Sequence, residues 1–375
     1  MMKFAGLRKK FLAALTASAL GAALTLGAPM AQAASGLDII GSAIGIGIQA
    51  SQLNAQIDQQ VKRYNESEEG RQELYKAMRQ KYGVSENYEY NAKVDRIMAN
   101  LTRGVAAIDP TINDKPYLYF VSEQTSINAA CTMGHVMMVN AGTFAKITNE
   151  DEIAAIIGHE MGHGQKDHPA KGNKKRLQRA VTTAIAGTAV GATIGGGALT
   201  SAITNVAITH SVAHGDKKME TEADLLGFDY MTHTNYNPGA CAAIMQKFVE
   251  LSIGAEQSKI MAFFNPSDHP DSGRRRDAYV KKLHEYSGKH VTAKDGVVSI
   301  NGKTFTTVAA AHDMSSAERS YFVFGNLAAA YHNGHNKSAA TVQNGTVMLG
   351  KQPIITPQAG DEDAYTLAER LNAIK

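Results

Sequence analysis

Residues 158–164 read GHEMGHG, and the HExxH within them (His159, Glu160, His163) is the densest chemistry in the chain. On an α-helix, residues four apart share a face, so both imidazoles can reach one ion. Zinc held by such a pair leaves the intervening glutamate beside a metal-bound water, where it can act as a base. Asn149, with Glu152 three residues on, makes a capping-box signature ahead of an apolar run, with Thr148 as an alternative cap. Ile153, Ile156 and Ile157 then supply a buried face, and Gly158 and Gly162 are expected to leave room around the metal. A core helix with two satisfied histidines is the bland alternative. Two histidines bracketing a glutamate under a cap favour the metal.

Two histidines do not complete a catalytic zinc site, which usually takes three protein ligands plus water. The metzincin continuation HExxHxxGxxH is excluded, because Lys166 and Pro169 stand where its glycine and last histidine would be. His168 falls five past His163, off the shared helix face, and Pro169 is expected to end the helix there. The better source is KKMETEADLLG (217–227), where Glu220 and Asp224 are four apart and can face one side of a helix. Glu220 would ligate zinc, one ion per chain, and Asp224 would accept the spare ring N–H of a ligand histidine. A solvated acidic face, with Glu222 as one more member, is what this segment would be without the HExxH.

These residues resemble the HtpX and CAAX-prenyl-protease type of gluzincin metallopeptidases, metallopeptidase family 48, over about residues 90–285. The resemblance rests on the HExxH, the ExxxD of Glu220 and Asp224 set in ETEAD, and the HP of SDHPDSGRRR. It implies a mostly helical α+β peptidase domain with a small sheet. It also implies that INAACTMGHVMMVNAGTF (127–144) is a substrate-side edge strand, with Asn128, Ala129, His135 and Val136 along it. Such an edge can bind an extended peptide by strand addition. ACTMGH (130–135) departs from the glycine pair usual in relatives, which bears on the shape of the groove and not on the metal chemistry. The resemblance further places His269 and Arg275 on a loop over the active site, where either would stabilise an oxyanion. In periplasmic relatives the equivalent histidine can cap the zinc.

The first 33 residues have the parts of a secretory leader: Lys3, Arg8, Lys9 and Lys10, an apolar run (11–28), and Ala31-Gln32-Ala33 ahead of a cut before Ala34. Loss of those four cations turns the net charge of +3 into −1 for the mature chain. Nothing in that balance argues for nucleic acid or anionic lipid. A periplasmic or secreted location follows, and with it an oxidising compartment. Cys131 and Cys241 could there form a disulfide or stay as two buried thiols.

Residues 180–213 are rich in Ala, Gly and Thr and carry no charged side chain besides His210. They are long enough to span a bilayer, with Gly187, Gly191 and Gly195 at helix-packing spacing, but short of Leu, Ile and Phe. A helical hairpin, packed on the protein or touching a membrane peripherally, is preferred to a true span; residues 36–50 are similar in kind. Residues 52–82 suit an exposed helix, 90–104 an amphipathic one carrying Val94, Ile97, Met98 and Leu101, 116–123 a strand, and 239–252 a supporting helix. Past 285, Asn301-Gly302 and Asn344-Gly345 mark two hairpins. A helix opened by a Ser315–Glu318 capping box lies between them, with Tyr321, Phe324, Ala328 and Tyr331 on one face, and a last helix carries Leu367, Leu371 and Ile374.

The expected organisation is a leader (1–33), a zinc metallopeptidase domain (34–285) and a small α+β accessory domain (286–375). The expected function is hydrolysis of misfolded or unassembled envelope proteins, with Glu160 as general base. The alternatives are a zinc-stabilised binding protein capped by His269, which holds unfolded chains without cutting them, and a membrane protease with a span in 180–213.

Overall fold

The computed structural model describes residues 50–186, 196–209, 217–253 and 271–375. The leader, residues 36–49, His269 and the parts of the Ala/Gly/Thr-rich insert at 187–195 and 210–213 lie outside them. The described residues are mostly helical and include three small three-stranded sheets. Two helices, α1 (Ala50–Glu66) and α2 (Glu68–Tyr82), lead into α3 (Tyr88–Ala106). The first sheet follows: β1 (Leu118–Ser122), β2 (Ala129–Thr132) and β3 (Val136–Asn140). After the short α4 (Ala141–Lys146) come α5 (Glu150–Gln165), which carries the HExxH, α6 (His168–Ala186), α7 (Gly196–Thr209), α8 (Lys217–Thr232), α9 (Ala240–Ile253) and α10 (Ser272–Tyr286).

The first sheet has the order β1-β3-β2, with β1 parallel and β2 antiparallel to the central β3. Successive side chains of a strand face opposite ways, and here both faces are covered. Val121, Cys131, Met137 and Val139 join the core that contains α3 and α5, whereas Phe120, Ala130, Val136 and Met138 join a second core with Leu53, Ile57, Tyr64, Leu74 and Met78. The polar stretch 52–82 is therefore a pair of packed helices and not one exposed helix. Ser67 caps the second of them, accepting from the Gly70 N–H. Helix α7 packs on the same layer: Ile203, Val206 and Ala207 are buried, Tyr82 Oη donates to the Ile208 carbonyl at 2.6 Å, and Thr132 Oγ1 to that of Ala207 at 2.8 Å. No helix among the described residues is long and apolar enough to cross a membrane.

The C-terminal part consists of β4 (Val291–Lys294), β5 (Val297–Ile300), β6 (Lys303–Thr307), α11 (Ser316–His332), β7 (Ala340–Gln343), β8 (Thr346–Leu349), β9 (Gln352–Ile355) and α12 (Ala364–Ile374). Asn301-Gly302 and Asn344-Gly345 form the two hairpin turns, each with φ positive at both residues (51° and 78°, 50° and 78°) as a type I′ turn requires. Each sheet is a three-stranded meander, one strand more than the hairpins expected from sequence. Asp295-Gly296 supplies the additional turn in the first of them. The Ser315–Glu318 capping box is present in full. The apolar core runs without a break from α3 and α5 through α9 and α11 to α12.

At the start of α5, Asn149 accepts from the N–H groups of Asp151 and Glu152, but Glu152 does not reciprocate as a capping box would. Its fully buried side chain turns to Lys247 of α9, 3.4 Å away, and Lys247 lies 3.7 Å from Glu318 of α11. Burial, opposed by Lys247, pushes the Glu152 carboxyl up to about 7. A carboxyl raised on folding contributes stability that is complete at low pH and is lost as pH rises through the folded value. Glu152→Gln should therefore match the parent in thermal unfolding at pH 4 and exceed it at pH 8.5, by on the order of 3 kcal/mol at most. A variant less stable than the parent at pH 8.5 would show that the Lys247 pair outweighs the burial.

Candidate metal centre

The site begins with how closely two helix backbones approach. A Cβ added to Gly162 of α5 would stand 2.8 Å from the Ala223 carbonyl oxygen, and one on Gly227 of α8 would stand 2.9 Å from the His159 nitrogen. Gly162 thus leaves room for the backbone of α8, whereas a Cβ on Gly158 would meet only ordinary contacts, the nearest 3.6 Å away. The close approach of the two backbones lets Glu220 on α8 reach the two histidines on α5. Ligating atoms of His159, His163 and Glu220 all lie within 4.8 Å of one another, and all three residues are buried. His159 Nε2 is 3.1 Å from His163 Nε2, and the Glu220 oxygens lie 3.6 Å from the first and 3.4 Å from the second. Two imidazole nitrogens and a carboxylate oxygen are a donor set that zinc takes in catalytic sites, so these residues fit the ion.

Asp224 lies one helical turn beyond Glu220, against His159. Its Oδ1 accepts from His159 Nδ1 at 2.9 Å, which directs His159 Nε2 to the cluster. The same carboxylate takes two hydrogen bonds from Arg275, at 2.8 and 2.6 Å, and one from Tyr279 Oη at 2.7 Å. Burial alone would raise this carboxyl, but Arg275 and His159 outweigh it and hold it well below the usual carboxylate range. Burial also lowers His159, with Arg275 adding to the effect, which favours the neutral imidazole that a metal requires.

Arg275 is not on a loop. It stands in the first turn of α10, buried, with its guanidinium committed to Asp224. It positions the carboxylate that positions the histidine, and Tyr279, one turn further along α10, assists. Sequence reading missed Tyr279, although its spacing of four from Arg275 was available. His269 lies outside the described residues.

Within residues 127–144, β3 is central and the edge strand is β2. Ala129 lies on it and Asn128 immediately precedes it, and both line a narrow cavity with His159, Glu160, Arg275 and Tyr279. Val136 belongs to the central strand, paired to Leu118 on one side and Thr132 on the other. His135 sits in the 3-10 turn between β2 and β3, stacked on Tyr117, with Nδ1 2.7 Å from the Lys115 carbonyl oxygen. Burial pushes His135 down to about 4, so it is neutral and structural. The Cys131 N–H points away from β3 and donates to Glu160 Oε2 at 2.9 Å. By the two-residue alternation of an antiparallel strand, Ala129 turns its N–H and C=O to that same free side. Cys131 and Cys241 are free, buried thiols with no bond between them. Burial raises both, so neither is a nucleophile.

The sequence profile of peptidase family M48 matches residues 89–282, more than half of the chain. The chain belongs to peptidase family M48. Its His159, His163 and Glu220 match the zinc-binding pattern of that family's peptidases. Metalloprotease LoiP of Escherichia coli (strain K12) is 28% identical over 175 residues, which is 47% of this chain and 66% of that protein. Mitochondrial metalloendopeptidase OMA1 of Schizosaccharomyces pombe is 26% identical over 215 residues, 57% of this chain and 59% of that protein. The beta-barrel assembly-enhancing protease of Escherichia coli O157:H7 is 22% identical over 143 residues, 36% of this chain and 28% of its own length. The chain thus spans less than two thirds of the length of these relatives.

Two substitutions test how this M48 site is built. Gly227→Ala places a methyl group against the His159 backbone and should weaken zinc binding at least about tenfold by parting the ligands. Competition with a coloured chelator measures that, and far-UV circular dichroism should show the helices intact. Unchanged zinc affinity would mean that the crossing does not set the ligand geometry. Asp224→Asn leaves buried Arg275 without its counter-charge and should cost about 3–5 kcal/mol in urea unfolding of the metal-free protein. A loss under 1 kcal/mol would mean that water or another acid already shares the arginine.

Proposed function

We propose that the chain is a zinc-dependent endopeptidase that cleaves unfolded or unassembled proteins in a bacterial envelope. The observation that carries this is the convergence of His159, His163 and Glu220, with Glu160 beside them, at the free edge of β2. Zinc bound there would polarise the scissile carbonyl and bring the pKa of a water down towards about 7. An extended peptide would add to the free side of β2 through the Ala129 backbone, which brings a chain without regular structure across the metal ligands. Glu160 would take the proton of the attacking water and deliver it to the leaving amine. Held by the Cys131 N–H, it is a carboxylate aimed from the helix toward the strand on which the peptide would lie.

The substrate class rests on the open-ended recognition that strand addition gives, which reads backbone and needs an unfolded chain. The compartment rests on the leader-like first 33 residues. Burial of Ile203, Val206 and Ala207 supports the part of the insert in 196–209 as a helix with one face packed on the protein.

Unfolded casein incubated with the parent and with Glu160→Gln, with zinc counted per chain in both, tests this reading. The expected result is one zinc per chain in each and cleavage by the parent alone, with the variant down by at least about a hundredfold. Equal cleavage by the two proteins would remove Glu160 from the chemistry, and a parent without zinc would sink the proposal. Retention of casein without new termini would point instead to a binding protein.

A further inference from the structure

Asp224 orients His159, and the question is what does the same for His163. His163 Nδ1 lies 3.0 Å from His168 Nδ1, and His168 Nε2 lies 3.2 Å from Glu222 Oε2. The two rings meet edge to face, with centroids 5.1 Å apart, and His163 and His168 are 0% and 2% exposed. We infer that His168 is a positioning residue for the metal, fixing the tautomer and ring plane of His163, with Glu222 fixing His168 in turn. The inference rests on His163 being a zinc ligand.

Proton placement allows one arrangement. His163 Nε2 faces His159 and Glu220, so it must be bare to ligate. A neutral imidazole then carries its proton on Nδ1, which needs an acceptor. His168 Nδ1 is that acceptor when the proton of His168 sits on Nε2, and the Glu222 carboxylate receives it there. The reverse direction would put a proton on His163 Nε2, where the metal belongs. Both ligand histidines therefore end on a carboxylate of α8: His159 directly on Asp224, and His163 through one intervening imidazole on Glu222. His168 is not a fourth ligand, because its Nδ1 meets the side of His163 that faces away from the cluster.

The chain reaches this geometry by breaking the helix. Five residues along an unbroken helix would carry His168 about 140° away from His163. Instead α5 stops at Gln165, and Asp167 takes a left-handed φ of 51°. The Asp167 carboxylate is held by Asn65 Nδ2 at 2.9 Å and Lys115 Nζ at 3.3 Å. The turn folds His168 back over His163, and Pro169 sits in the first turn of α6, where its missing N–H costs nothing.

Zinc affinity by chelator competition, on the mature full-length protein, tests this with His168→Ala, His168→Asn, Glu222→Ala and, as a reference, His163→Ala. His168→Ala should weaken zinc binding about 10–100-fold. In His168→Asn the amide oxygen takes the place of the ring Nδ1 and accepts the same hydrogen bond, so affinity should return to within about threefold of the parent. Glu222→Ala should cost less than His168→Ala, because water can replace a carboxylate that is half exposed. Thermal unfolding of the metal-free proteins separates a folding defect from a metal defect. Parental affinity in His168→Ala, or equal losses in the Ala and Asn variants, would overturn the inference, as would a drop confined to metal-free stability. If His168→Ala does not fold, the Asn and Glu222→Ala variants decide: a tenfold loss in the first or none in the second overturns it. Release of zinc by His163→Ala with retention by His168→Ala would end this inference alone, whereas a parent that binds no zinc would end it together with the reading of the site.

Discussion

The structure depends on the near-contact of two helix backbones. Helices pack with their axes about 8–10 Å apart depending on the side chains at the contact, and the smallest side chains give the closest approach. Glycine at 162 and 227 removes the side chains that would hold α5 and α8 apart, so backbone atoms of one helix fill the space above the other. The ligands then converge in ordinary geometry. The glycines cost helix propensity, and the neighbouring elements make up for it: α3, α9 and the sheet bury Ile153, Ala154 and Ile157 on the remaining faces of α5.

Around that crossing the acids of α8 divide their work. Glu220 points into the ligand cluster, Asp224 binds His159, and Glu222 reaches His168 from the flank. Asp224 is heavily bonded, with Arg275, Tyr279 and His159 all donating to it. A buried carboxylate is tolerable only with that many donors, and the arginine keeps it ionised in an environment that would otherwise protonate it. Helix α10 therefore matters to the metal without touching it. The other branch ends nearer solvent, so the two histidines are held by supports of unequal rigidity.

The free edge of β2 gives the centre its direction. Its far face is closed by α1, α2 and α7, and its pairing side is taken by β3, so the backbone groups of Ala129 and Cys131 that remain face Glu160 and the ligands. A uniformly buried run such as VMMVN is what a strand covered on both faces requires, and β3 is central because it pairs with β1 on one side and β2 on the other.

By itself the sequence determined the parts whose signal is local. The i, i+4 spacing in HExxH and in ExxxD, the Asn149 cap and the Asn-Gly turns depend on nearby backbone only, and each appears where the residues imply it. Tertiary structure decided what depends on turns and neighbours. A left-handed residue at Asp167 resets the helical phase, so a histidine that looked off the face lies against a ligand. The sequence offered Arg275 as a candidate, but which group it touches is fixed by where α10 packs, and there an acid buried within 3 Å claims its charge. The distinction between edge and centre within 128–136 likewise depends on which strand acquires two partners. Local spacing fixes which atoms can face one way; only packing fixes what they face.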